Sequence, residues 1–292
     1  MTDTAAPAAV PGASGRRRSV AAHDGSRLAV VEVGASDAPA CLLAHGAGSS
    51  ARFITAAFAG PTLAAGRRLV TYDLRGHGAS SPARAVGDHH LEVHAADLSA
   101  VAATTAEVEV IGGVSLGAHA AVLAVAAGSV ATPAATLACL PAWTGIADRG
   151  QGPHAAVAAE IRRDGLAAMI ARLEADVSMP GWLRDTLLAD YPRHDPASLT
   201  AALVALDGGV APTDDTLVRF PTPLAVVGWA DDPGHPAAVA TWWAGQAATS
   251  ALGWSSLSAL EADGVDALGV AAWAVLGRLL AARDGRGRWS TP

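Results

Sequence analysis

Short apolar runs alternate with longer Ala- and Leu-rich stretches along most of the chain. SVAAH (19–23) and RLAVVEVG (27–34) read as a hairpin about Asp24-Gly25. CLLAH (41–45), RLVTYD (68–73), VEVIGG (108–113), TLACL (136–140), PLAVVG (223–228) and SSLSAL (255–260) read as further strands. Helical patterns fall near 52–65, 90–105, 116–127, 236–248 and 268–283. Strand–helix alternation of this kind predicts an α/β fold, with a mostly parallel sheet of about eight strands covered by helices on both faces.

The alternation stops between about 145 and 218. HAAVAAEIRRDG, LAAMIARLEADV, GWLRDTLLADY and PASLTAALVALD read there as successive amphipathic helices. An insertion between two core strands, placed after a strand that ends near the ligand edge of the sheet, predicts a helical lid. The expected organisation is a disordered tail over 1–15, a core over 16–144 and 219–292, and the lid over 145–218. Residues 120–147 carry no charge, which is long enough to suggest a membrane span. Gly128-Ser129, Thr132-Pro133 and Pro141 interrupt it, so it reads as helix, turn and buried strand.

Composition narrows the function classes. The chain has 292 residues, 51% of them hydrophobic and 16% charged, as expected of a folded globular protein. A formal net charge of −7 gives no reason to expect nucleic acid or an anionic membrane as a partner. All 20 basic residues are arginine, which is read as a compositional bias of the genome. Cys41 and Cys139 lie in apolar runs and are expected as buried free thiols. Arg16-Arg17-Arg18 is followed by no apolar core of the kind a secretory signal needs, so a cytoplasmic protein is expected.

The chemistry is concentrated in Gly113-Val114-Ser115-Leu116-Gly117. A serine on a sharp strand-to-helix turn exposes its hydroxyl, and the small flanking glycines permit the turn. His45-Gly46-Ala47-Gly48 follows another strand. Such a turn can aim the backbone N–H of Ala47, together with that of Leu116, at a developing oxyanion.

In this order the motifs resemble the α/β-hydrolase superfamily. The resemblance runs over residues 17–283 and includes Tyr72-Asp73-Leu74-Arg75-Gly76-His77-Gly78, where His77 is expected to brace a loop. It implies a nucleophile at Ser115 and an acid in the loop after PLAVVG, at Asp232 or at Asp231. The proline spacing favours Asp232. It also implies a histidine after the last strand, usually preceded by glycine. The matching stretch reads Gly264-Val265, and no histidine occurs beyond His235. Valine stands where the base is expected.

Two histidines remain as surrogate bases: His235 in the acid loop, and His119 one helical turn past Ser115. His45, Trp143, Trp182, Trp229 and Val265 are expected around the ligand. His154 and His194 fall in the lid. His89, His90 and His94 form an H-H-x-x-x-H pattern that is weak evidence for a metal, and neither metal nor cofactor is expected. The resemblance implies an enzyme acting on a small substrate, and the tryptophans, if they line its pocket, imply an apolar or aromatic one. The reaction it implies is ester, thioester or carbon–carbon hydrolysis; Val265 in place of the base favours a derived cyclase or lyase step of secondary metabolism, where positioning suffices. A non-catalytic binding protein of the same fold is the alternative. On this reading, Val265→His is expected to raise ester hydrolysis about a hundredfold, the low end for general-base catalysis.

Overall fold

A computed structural model describes residues 15–142, 153–208, 212–232 and 234–284. Its strands are β1 (Arg16–Ala21), β2 (Arg27–Val33), β3 (Ala40–Ala44), β4 (Arg68–Tyr72), β5 (Val108–Val114), β6 (Ala135–Cys139), β7 (Leu224–Trp229) and β8 (Ser250–Ser255). They form one eight-stranded sheet in the order β1-β2-β4-β3-β5-β6-β7-β8. β1 and β2 are antiparallel, as are β2 and β4; every later pair is parallel. The three arginines at 16–18 belong to edge strand β1, where Arg16 and Arg18 both pair with Glu32 of β2.

The helices are α1 (Ala51–Ala64), α2 (Leu91–Ala103), α3 (Leu116–Ala126), α4 (Pro153–Asp164), α5 (Leu166–Ala175), α6 (Gly181–Asp190), α7 (Pro196–Gly208), α8 (Asp214–Val218), α9 (Ala237–Gln246), α10 (Leu257–Asp263) and α11 (Ala267–Asp284). The two-residue period of the strands assigns them to layers. In β3, Leu42 and Ala44 pack with Leu98 of α2, Ala120 of α3 and Trp243 of α9. Cys41 and Leu43 face the other way, against Ile54 and Phe58 of α1 and Leu276 of α11. A strand buried on both faces has no reason to alternate in polarity, which is why the central strands read as continuous apolar runs. Both cysteines are buried and free.

The run SSLSAL is not a strand. The last strand is SALGWS, residues 250–255, and Ser256 caps the helix that follows by accepting the Ala259 amide at 2.9 Å. Leu257 and Leu260 are the i, i+3 pair of that helix; their spacing and a serine cap outweigh the apparent alternation.

Helices α4 to α7 lie between β6 and β7 in the chain and carry a small core of their own around Ile161, Met169, Leu173, Leu199 and Leu203. His154 Nδ1 lies 2.7 Å from Asp207, tying α4 to α7. Among the described residues, no single helix is long and apolar enough to cross a membrane.

Topology fixes where a site can form. The chain leaves β3 toward β4 on one side, then crosses back to add β5 on the other. β3 and β5 are therefore direct neighbours, with Ala44 opposite Gly113. Loops that follow such a pair diverge and leave a crevice at the carboxyl edge of the sheet.

Candidate active site

Ser115 lies at that edge of the sheet. It follows β5 directly, with φ 52° and ψ −119°, a left-handed backbone at a residue with a side chain. A turn of this kind costs about 1–3 kcal/mol and persists only where the surroundings impose it. Here the Ser115 amide donates to the Cys139 carbonyl at 2.9 Å, and α3 begins at the next residue.

The flanking glycines are required by space. A Cβ on Gly117 would lie 2.2 Å from the Ala44 carbonyl oxygen, and one on Gly113 would lie 2.6 Å from the same atom. That obstacle is backbone of a central strand and cannot swing away. Gly117→Ala should therefore destabilise the protein by about 1–3 kcal/mol through overpacking, read as a lower denaturation midpoint at unchanged slope. A variant as stable as the parent would show that the elbow is looser than this geometry requires.

The turn after β3 lies directly beside Ser115. A side chain on Gly46 would touch the Ser115 Cβ at 3.2 Å. The Leu116 amide is the first of α3, so it has no carbonyl one turn earlier to bond. Among the described residues neither it nor the Ala47 amide has a backbone partner. His45 does not line a cavity: it is fully buried, with Nε2 accepting the Leu74 amide at 2.9 Å and Nδ1 donating to the Gly46 carbonyl at 2.7 Å. Burial, opposed by Asp73 and the Gly46 carbonyl, pushes its imidazole down to about 4, so it is neutral.

His235 reaches Ser115. Its Nε2 lies 3.0 Å from the Ser115 Oγ, and its Nδ1 lies 2.6 Å from Oδ2 of Asp232. A carboxylate only accepts, so Nδ1 carries the ring proton and Nε2 is left to accept from the serine hydroxyl. The other Asp232 oxygen accepts the Gly234 amide at 2.8 Å. Burial raises the carboxyl, but the hydrogen bond and charge of His235, with the Gly234 amide, outweigh it and hold Asp232 below the usual carboxylate range. β7 lies two strands from β5, about 10 Å in the hydrogen-bonding direction, and the stretch from residue 230 to His235 is long enough to span that gap.

Asp231 is turned elsewhere. It accepts the Leu257 amide at 2.8 Å and the Ser258 hydroxyl at 3.1 Å, at the start of α10. His119 is fully buried; its Nε2 accepts the Ala142 amide at 3.1 Å and its ring meets Trp243 edge-on at 4.8 Å. Burial pushes it well below the ordinary imidazole range. Val265 is half-buried in the turn between α10 and α11, where its carbonyl accepts the Leu268 amide. Trp143 and Pro233 lie outside the described residues. Among those described, no group of three or more His, Cys, Asp or Glu side chains is arranged to hold a metal.

An aromatic row extends from the imidazole. His235 packs edge-on against Trp229 at 5.8 Å, Trp229 against Trp182 at 5.8 Å, and Trp182 stacks on Phe53 at 6.2 Å. The Trp182 indole N–H donates to the Leu257 carbonyl at 3.1 Å, anchoring α6 to α10. The sequence does not single out Phe53, because an aromatic in an Ala-rich helix carries no signal of which neighbour it meets.

The strand order, the strained serine turn and the glycine-rich turn beside it define an α/β-hydrolase fold. Residues 41–268 match the model of the alpha/beta hydrolase family, and the chain belongs to that family. No curated protein matches it. Among solved structures, a thermophilic esterase from Thermogutta terrifontis superposes with a TM-score of 0.71 at 20% identity, over 90% of this chain and 99% of that one. The enol-lactonase from Burkholderia xenovorans gives 0.68 at 18% identity, over 90% and 100%. A bromoperoxidase from Bacillus anthracis gives 0.69 at 15%, over 90% and 100%. At these identities the likeness is one of fold.

Proposed function

We propose that the chain is a serine hydrolase of small, largely apolar acyl substrates (esters, thioesters or lactones). Its relay takes both acid and base from one loop, Asp232-Pro233-Gly234-His235. The observation that carries this reading is the continuous line Asp232–His235–Ser115, at 2.6 and 3.0 Å. In this reading His235 accepts the serine proton as Oγ attacks the acyl carbon, then returns it to the leaving oxygen or sulfur. Asp232 holds the ring in its tautomer and stabilises the imidazolium. The amides of Ala47 and Leu116 receive the charge that develops on the carbonyl oxygen. Water, activated by the same imidazole, releases the acid.

The row Phe53, Trp182, Trp229 supports an apolar or aromatic group on the substrate beside the relay. Val265 had favoured a derived cyclase or lyase step, or a non-catalytic binder. A base already within hydrogen-bond distance of Ser115 supports hydrolysis over these.

The test is labelling with a fluorophosphonate probe followed by peptide mapping. Stoichiometric modification of Ser115, slowed strongly in His235→Ala, is the expected result. An intact parent that stays unlabelled at millimolar probe would remove the nucleophile and leave the binding protein.

A further inference from the structure

Three successive peptide units of the turn after β3 are each held by a different histidine. The first joins Gly46 to Ala47. Its carbonyl accepts from His45, which fixes the plane whose other end is the Ala47 N–H. The second ends in the Gly48 N–H, which donates to His77 Nε2 at 3.1 Å. The third begins at the Gly48 carbonyl, which accepts from His194 Nε2 at 3.2 Å. Its other end, the Ser49 N–H, returns to the Gly46 carbonyl at 3.2 Å and closes the loop.

His45 and His77 come from the loops after β3 and β4, but His194 comes from the segment inserted between β6 and β7. Its Nδ1 accepts the Gly78 amide at 3.1 Å, so one ring ties that segment to the loops after both β3 and β4. Four residues earlier, Asp190 accepts the Ser50 hydroxyl at 2.7 Å. Both residues are buried. Gly48, with φ 72°, leaves room for the Tyr191 ring, which a side chain there would meet at 3.4 Å.

We propose that His194 is a positioning residue. From the inserted segment it orients the oxyanion turn, and with Asp190 it makes the reach of the Ala47 N–H depend on that segment being seated. The role rests on the hydrolase reading above for its catalytic consequence, and on the hydrogen bonds alone for its structural one.

Amide hydrogen exchange and ester kinetics separate the two. His194→Ala should raise exchange at residues 46–49 and lower kcat for a nitrophenyl ester about ten- to a hundredfold, with KM changed less than about threefold. That loss is smaller than the about hundred- to thousandfold cost of deleting an oxyanion donor outright. His194→Gln keeps an N–H near the Nε2 position and should recover most of both. If His194→Ala does not fold, Asp190→Ala is read in the same way, with Asp190→Asn as its rescue.

Unchanged exchange at 46–49 in a folded His194→Ala protein overturns the clamp, whatever the activity. So does raised exchange with unaltered kcat in an active parent. A parent that neither turns over esters nor labels at Ser115 overturns the hydrolase reading instead; the exchange comparison still decides the clamp.

Discussion

Replacing His235 with alanine should cut turnover of an activated ester by about 10⁴- to 10⁶-fold, whereas Val265→His in the parent should add nothing measurable. The first magnitude is what removal of a relay base costs when oxyanion donors and binding are left in place, about 5–8 kcal/mol of transition-state stabilisation. The reason to place it here is geometric. His235 Nε2 stands 3.0 Å from Ser115 and its Nδ1 is held at 2.6 Å by Asp232, so the ring is oriented on both sides. The expectation for Val265→His follows from the same two distances. An imidazole at 265 would need the Ser115 hydroxyl and the Asp232 carboxylate, and both are occupied. The hundredfold gain read from sequence assumed a serine without a base. Losses in Ser115→Ala and His235→Ala should not add, because the two act as a unit. Nitrophenyl-ester kinetics on the parent and the three variants decide the matter. A His235→Ala enzyme within tenfold of the parent places the base elsewhere. A large gain from Val265→His places it after β8.

The sheet was legible because its signal is local. Apolar runs such as ACLLA and LAVVGW are long enough to be buried on both faces, and Gly/Ala-rich helices separate them. The serine turn was legible for a different reason: Gly113 and Gly117 face backbone at 2.6 and 2.2 Å, so the spacing of the motif is imposed by sterics and survives any change of chemistry. The SSLSAL run failed where two periods compete over six residues, and the serine cap decided for helix. The base was legible only as one of two surrogates. His119 has the better spacing from Ser115 along α3, yet that spacing turns it under the helix, against Trp243 and the Ala142 amide. His235 is 120 residues away, and only the adjacency of β5, β6 and β7 brings its loop over the serine. The part played by His194 was beyond reach, since it depends on how an inserted helical segment lies against the β3 turn. No periodicity within either element encodes that contact.

Asp232→Asn should lower kcat by about 10⁴-fold, the cost of holding a relay imidazole in the wrong tautomer, while Asp231→Asn should stay within tenfold of the parent. The two aspartates are adjacent, and the sequence left both open as the acid. Their partners differ completely. Asp232 holds the His235 ring N–H, and an asparagine there can turn its amide N–H₂ toward Nδ1, which leaves the proton on Nε2 and removes the acceptor that Ser115 needs. Asp231 accepts the amides of Leu257 and Ser258 at the start of α10. Losing its charge there forfeits a helix-terminus interaction of about 0.3–1 kcal/mol and no chemistry. The pH dependence of stability separates them further. Asp232 has a folded-state pKa below its unfolded value, because the pull of His235 and the Gly234 amide outweighs burial. The stability it contributes is therefore present above the unfolded carboxylate pKa, about 4, and is lost as pH falls through the lower folded value. The stability gap between the parent and Asp232→Asn should be full at pH 6 and close on acidification below about pH 4, measured by urea unfolding at each pH. Retention of kcat in Asp232→Asn with loss in Asp231→Asn would transfer the role to Asp231 and break the link between His235 and its acid.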